Sequence, residues 1–172
     1  MPRRTRAHVG AATVVLALLA GCSGDLGSIG PGAVPYQHAN AIYPVGYSES
    51  QIAPDRYRIQ VKGPLSTTRE RLEKIAATRA AEIGKENRLG YFKIDGVQIA
   101  AECETITPGG KPAGVNGSQR TVGRAVLTAD VSYTKSPQDQ SYLDSKSFDQ
   151  LRADLDVPPA TPGMPAATAQ CG

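Results

Sequence analysis

The chain has 172 residues, 40% apolar and 20% charged, with 19 Lys+Arg, 16 Asp+Glu, two His, three Cys and no Trp. That length and balance leave room for one ordinary domain with tails and exclude a wholly disordered chain or a multispan membrane protein. The formal charge of +3 does not point to nucleic acid: past residue 21, which Arg3, Arg4 and Arg6 precede, 16 bases balance 16 acids, so nothing draws the chain to phosphate backbones.

Residues 1–21 read as a secretory signal peptide, removed on export. A basic start (Arg3, Arg4, Arg6) precedes an apolar run from Val9 to Ala20 closed by small residues, the layout of an export signal. The run is too short for a bilayer span, which needs about 20 apolar residues. Leu19-Ala20-Gly21-Cys22 then resembles the lipobox of bacterial lipoproteins. Its chemistry needs a thiol at that one place, where the Cys22 sulfur takes a diacylglycerol before cleavage frees its amine for a third acyl chain. One chain holds a protein only marginally at a membrane, whereas two or three make attachment durable. A lipoprotein anchored by palmitate-like chains in the outer membrane and facing the periplasm is the expected setting, Ser23 standing where an inner-membrane retention signal would carry Asp.

Residues 22–54 read as the lipidated Cys followed by a flexible tether rich in Gly, Pro, Ser and Ala. About 30 such residues span on the order of 30 Å. Tyr36, Tyr43 and Tyr47 are unusual in a linker: either they dock its later part, around 42–50, onto the domain or they sit in water. Asp55 to Gly63 alternates, with Tyr57, Ile59 and Val61 on one side and Arg56, Arg58, Gln60 and Lys62 on the other, predicting a strand with one buried face. Thr67 to Glu70 fits a capping box and predicts a helix over about 68–88, with Gly90 as its C′ residue. Leu72, Ile75, Ala76, Arg79, Ala80 and Ile83 fall on its inner side.

Tyr91 to Glu104 predicts a long strand whose apolar phase breaks at Asp95-Gly96, requiring a bulge there or an Asp-Gly hairpin turn. Residues 107–118 read as a loop, Val122 to Tyr133 as another strand, and about 145–155 as a last helix with Asp144 as N-cap. Pro158, Pro159, Pro162 and Pro165 mark 157–172 as a disordered tail. The domain is thus 55–156 in the order β-α-β-β-α. Its strands each have one apolar face, which fits an α/β fold of α+β type. We expect a small two-layer sandwich, a mixed or antiparallel sheet of three to four strands with two helices on one face.

No catalytic constellation emerges. After processing the one histidine is His38, in the tether, so a nucleophile–His–carboxylate site would need that residue folded back. Gly46-Tyr47-Ser48-Glu49-Ser50 misses the final Gly of a nucleophile elbow. Cys103 and Cys171 lack partners at metal-ligand spacing, and no cofactor motif is present. Glu102 and Glu104 share a strand face and read as solvated carboxylates. Export would place Cys103 and Cys171 in an oxidising compartment. Either they are joined, with Cys103 inward near a strand end, or Cys103 is a small hydrophobe and Cys171 stays free or pairs between molecules.

Gly46 to Gly63 (GYSESQIAPDRYRIQVKG), Arg79 to Ile83 (RAAEI) and Leu89 to Ile94 (LGYFKI) resemble a family of small bacterial lipoproteins first delineated in Caulobacter. Its members share a G-Y-S opening, an R-A-A-E helix motif and an aromatic strand entry. The resemblance implies a lipid-anchored envelope protein without an assigned activity, and draws attention to Arg79 and Glu82, with the Arg79 stem lying along the helix–sheet seam.

The leading functional expectation is a non-enzymatic module that works by contact, its membrane attachment through the anchor and its partner another envelope protein. Its candidate docking surface is the polar sheet face around Arg56, Arg58, Lys62 and Lys93. The alternative is a small-ligand binder using the gap between sheet and tether, lined by Tyr47, Tyr57 and Tyr91.

Overall fold

Alternation between Arg56 and Gly63 becomes a strand, and its neighbours follow from the same period. In the computed structural model, which describes residues 34–106, 120–137, 139–157, 164–167 and 171, five strands form one sheet. They are β1 (Gly46–Ala53), β2 (Arg56–Pro64), β3 (Tyr91–Ile106), β4 (Arg120–Thr134) and β5 (Leu143–Asp144), in the spatial order β1-β2-β4-β3-β5 with every pair antiparallel. With α1 (Arg69–Asn87) and α2 (Phe148–Asp156) this is an α+β fold. The residues read as signal peptide (1–21), as Cys22 and the first part of the tether (22–33) and as a loop (107–118) lie outside the described residues.

The sheet has five strands instead of three or four, because Gly46–Ala53, read as tether, is an edge strand and Leu143–Asp144 adds a short strand at the other edge. Its Gly, Ser and Gln composition hides the alternation: Tyr47, Glu49 and Gln51 share one side, and only one of them is a strong strand former. The phase break in β3 is a bulge. Ile94 faces Val131 and Gly96 faces Asp130, so Asp95 is the extra residue and the strand runs on without a hairpin.

α1 starts one residue later than its capping box suggested. Thr68, not Thr67, is the N-cap, accepting from the Arg71 N–H at 3.2 Å, while Glu70 pairs with Lys74. The left-handed terminal residue is Arg88 (φ 56°) instead of Gly90. Ile75, Ala76, Ala80 and Ile83 pack with Ile59, Val61, Phe92 and Leu127 in the core.

Thr78, outside the inner side read from the helix pattern, is fully buried because α2 stacks on α1. The layers are therefore sheet, α1 and α2, and not a pair of helices side by side on one sheet face. Asp144 caps the short 3-10 turn Ser145–Ser147 that leads into α2, accepting from the Lys146 N–H at 2.9 Å.

The segment 157–172 was expected to be disordered, yet its described part is docked. Pro165 bridges Thr68, the Ala166 N–H donates to the Thr67 carbonyl at 2.8 Å, and Ala166 and Ala167 pack against the core. Cys171 is joined to Cys103, with Cα atoms 5.7 Å apart. Cys103 is exposed, where the β3–β4 hairpin runs past the end of β2. The bridge fastens the tail to that projecting end.

Candidate functional site: a strap closed over a buried arginine

Two arginines spaced eight residues apart on α1 hold the chain that enters the sheet, Arg71 the segment before β1 and Arg79 β1 itself. At about 1.5 Å of rise per residue they sit roughly 12 Å apart on one side of the helix. Residues 34–45 form a strap across this side. Val34 is fully buried, and its carbonyl accepts from Arg71 Nη2 at 2.9 Å and Nε at 3.2 Å. Arg71 Nη1 also donates to the Leu155 carbonyl at the end of α2. Burial with no carboxylate bonded to it pulls the Arg71 guanidinium below its usual range.

Arg79 lies deeper, with 12% of its side chain exposed. It bonds Glu49 of β1 at 2.9 Å, Glu82 one turn on, and Glu86 at 3.4 Å. Its guanidinium carbon stands 5.2 Å from the centre of the Tyr47 ring. Burial opposes its charge, but the bonds to Glu49 and Glu82 outweigh this and raise its pKa overall. One cation thus faces three carboxylates. Glu49 Oε2 and Arg79 Nε are buried without a hydrogen-bond partner, a cost of about 1–3 kcal/mol for each such group. The Arg79 stem is expected along the helix–sheet seam; its head is inside as well, because carboxylates meet it there.

The strap closes this cluster. The Tyr36 hydroxyl donates to Glu82 Oε2 at 2.6 Å, its ring lies 4.8 Å from that of Tyr47, and Arg152 of α2 covers it at 5.1 Å. Burial first, and then the Glu82 carboxylate, push the Tyr36 phenol far above its usual range, so it stays a donor. The Tyr47 N–H donates to the Gln37 carbonyl at 2.8 Å and the Ala39 N–H to the Tyr47 carbonyl at 2.6 Å. His38 is exposed, its ring edge-on to Tyr47. Gly46 makes the crossing possible, since its φ is +132° and a Cβ there would meet the Gln37 carbonyl oxygen at 2.2 Å.

Three pieces that stood apart in the sequence (Gly46-Tyr47, Glu49, and Arg79 with Glu82) meet in this seam. Tyr36 was the residue least readable from sequence, because no pattern ties a linker tyrosine to a helix 46 residues away. The gap expected to bind a small ligand is occupied by Val34, Tyr36 and Tyr47. Tyr57 is turned edge-on to Tyr133, and Tyr91 lies at the far side of the sheet beside β5. The near-elbow Gly46–Ser50 is plain strand.

On the outer face Arg56, Arg58, Lys62 and Lys93 are brought together, with Arg56 and Lys93 flanking Ser132 in register. Each has a companion: Asp95 at 3.8 Å, Asp130 at 2.7 Å, Glu102 at 3.4 Å and the Tyr142 ring at 5.7 Å respectively. Glu104, with Glu102 a solvated carboxylate in the sequence reading, bonds Arg124 at 2.7 Å. No family model, no curated protein and no solved structure matches the chain.

Proposed function

We propose that the chain is a lipid-anchored envelope protein, acylated on Cys22, that acts by contact and not by catalysis, its partner another envelope protein. The anchor is supported by the basic start, the short apolar run and Leu19-Ala20-Gly21-Cys22, together with the resemblance to the Caulobacter-type lipoproteins. The observation that carries the contact reading is the two-sidedness of the sheet. Among the described residues the helices and the strap cover one face, and Arg58, Gln98 and Glu102 stand exposed on the other. Arg56, Arg58 and Lys62 there are paired with acids and Lys93 lies over the Tyr142 ring, so this face offers shape and hydrogen bonds more than net charge. The buried Arg79 cluster is spent on internal pairing.

Two experiments test this. Cys22→Ala should leave unprocessed precursor without acyl label at the inner membrane; normal processing would remove the anchor. A photo-crosslinker at Gln98 should give a discrete protein adduct in intact cells, and one at Glu73 on the helix side should not. Equal labelling from both positions would remove the docking face.

A further inference from the structure

The strap carries a turn that the domain does not use. Asn40 Oδ1 accepts from the Ile42 and Tyr43 N–H groups at 2.9 and 2.8 Å, and the Asn40 N–H donates to the Tyr43 carbonyl at 2.9 Å. This fixed turn holds two adjacent apolar side chains outward, Ile42 80% and Tyr43 64% exposed. Other exposed apolar residues, such as Leu143 and Val157, are not adjacent pairs. The turn also lies within a charge-free run, for residues 26–48 contain no Asp, Glu, Lys or Arg. A segment meant to meet water or a charged protein face has no reason to shed every charge. One entering the boundary between headgroups and acyl chains does, since burying an unpaired charge is costly.

The position of the turn in the chain names the surface. Residues 23–33 join Cys22 to Val34, where Arg71 grips the carbonyl. Whatever path they take, about 12 steps reach at most about 40 Å. We propose that the Ile42–Tyr43 turn seats in the bilayer that holds Cys22, Ile42 among the upper acyl carbons and Tyr43 at headgroup level. Tyrosine suits that depth because its ring is apolar and its hydroxyl polar. Two side chains alone bind lipid weakly. The anchor confines them beside the surface, so a weak contact becomes a persistent one. The strap then transmits the seating to the domain, because Arg71, Tyr36 and Tyr47 fasten it to α1 and β1.

The inference rests on the anchor proposed above, and the test separates the two. The chain has no Trp, so Tyr43→Trp and Leu143→Trp each report one site in the full-length acylated protein. Both are reconstituted into vesicles of phosphatidylethanolamine and phosphatidylglycerol, with and without bromine on the upper acyl carbons, and floated on a density gradient. The expected result is that both variants float, while only Tyr43→Trp shifts its emission to the blue and loses most of it to the brominated lipid. Flotation with an unquenched Tyr43→Trp overturns the seating but keeps the anchor, leaving the turn for a protein partner. Failure to float removes the anchor and the seating together.

Discussion

On the outer face Arg58 reaches Asp130 through bonds of 2.7 and 3.0 Å, and the two side chains keep 47% and 32% of their surface in water. On the inner side Arg79 reaches Glu49 at a similar 2.9 Å, with 12% and 20% exposed. The chemistry is the same and the surroundings differ. In water the attraction at such distances is weak and screened by salt, so exposed pairs contribute little. Inside, attraction is stronger but desolvation offsets most of it, and the loss of one partner leaves a bare buried charge. The outer pairs therefore tolerate change. The inner cluster does not, and it fixes where the strap must lie more than it adds net stability.

The sharpest way to break this contrast is Arg79→Met, which leaves Glu49 and Glu82 facing each other. We expect a loss of about 3 kcal/mol, read by urea unfolding, with chymotrypsin cleaving rapidly after Tyr36. Adding Glu49→Gln should recover part of the loss, since one orphaned charge is gone. If Arg79→Met costs no more than Arg58→Met, the contrast fails. Next comes Gly46→Ala, whose methyl would meet the Gln37 carbonyl oxygen at a backbone φ of +132°. About 2 kcal/mol is expected, with faster amide exchange in residues 37–39 while α1 stays protected. Tyr36→Phe is milder because Glu82 keeps Arg79: about 1 kcal/mol, again with strap amides exchanging faster.

What was legible in the sequence follows from which interactions are local. β2, α1, the bulge in β3 and β4 rest on periodicity and turn chemistry, and they stand close to where the pattern put them. β1 and the docked tail depend on contacts far away in sequence. Gly46 reads as a linker glycine and Gly63 as the end of a strand, whereas Gly46 makes room for Gln37 and Gly63 for Val34. Pro165 and Ala166 read as disorder because a few small residues bury little area; they are held by two Thr67–Thr68 backbone contacts and by Cys171. Arg79 stands out in the sequence, but the partners of its head do not. A helix pattern shows that an arginine faces inward and cannot show that a carboxylate from an unrecognised strand meets it.

The smallest expected effect is on the outer face, and its pH dependence has a definite sign. The hydrogen bond from Arg58 holds the Asp130 carboxyl below its ordinary value, against a slight opposing effect of burial. A folded pKa below the unfolded one means that the contribution is present above the unfolded pKa, about 3.9. It is lost as pH falls through the folded value. Asp130→Asn should therefore lower stability slightly at pH 7, and parent and variant should converge as pH falls below the folded value. Raising salt to 1 M should close most of the neutral-pH gap as well, because both groups stand in solvent. The same salt should leave more of the Arg79→Met difference in place, since Arg79, Glu49 and Glu82 are largely withdrawn from solvent. Urea titrations of parent, Asp130→Asn and Arg79→Met at pH 7, with and without salt, decide the matter. Equal salt sensitivity in the two variants would mean that depth, and with it the proposed division between the faces, does not govern these pairs.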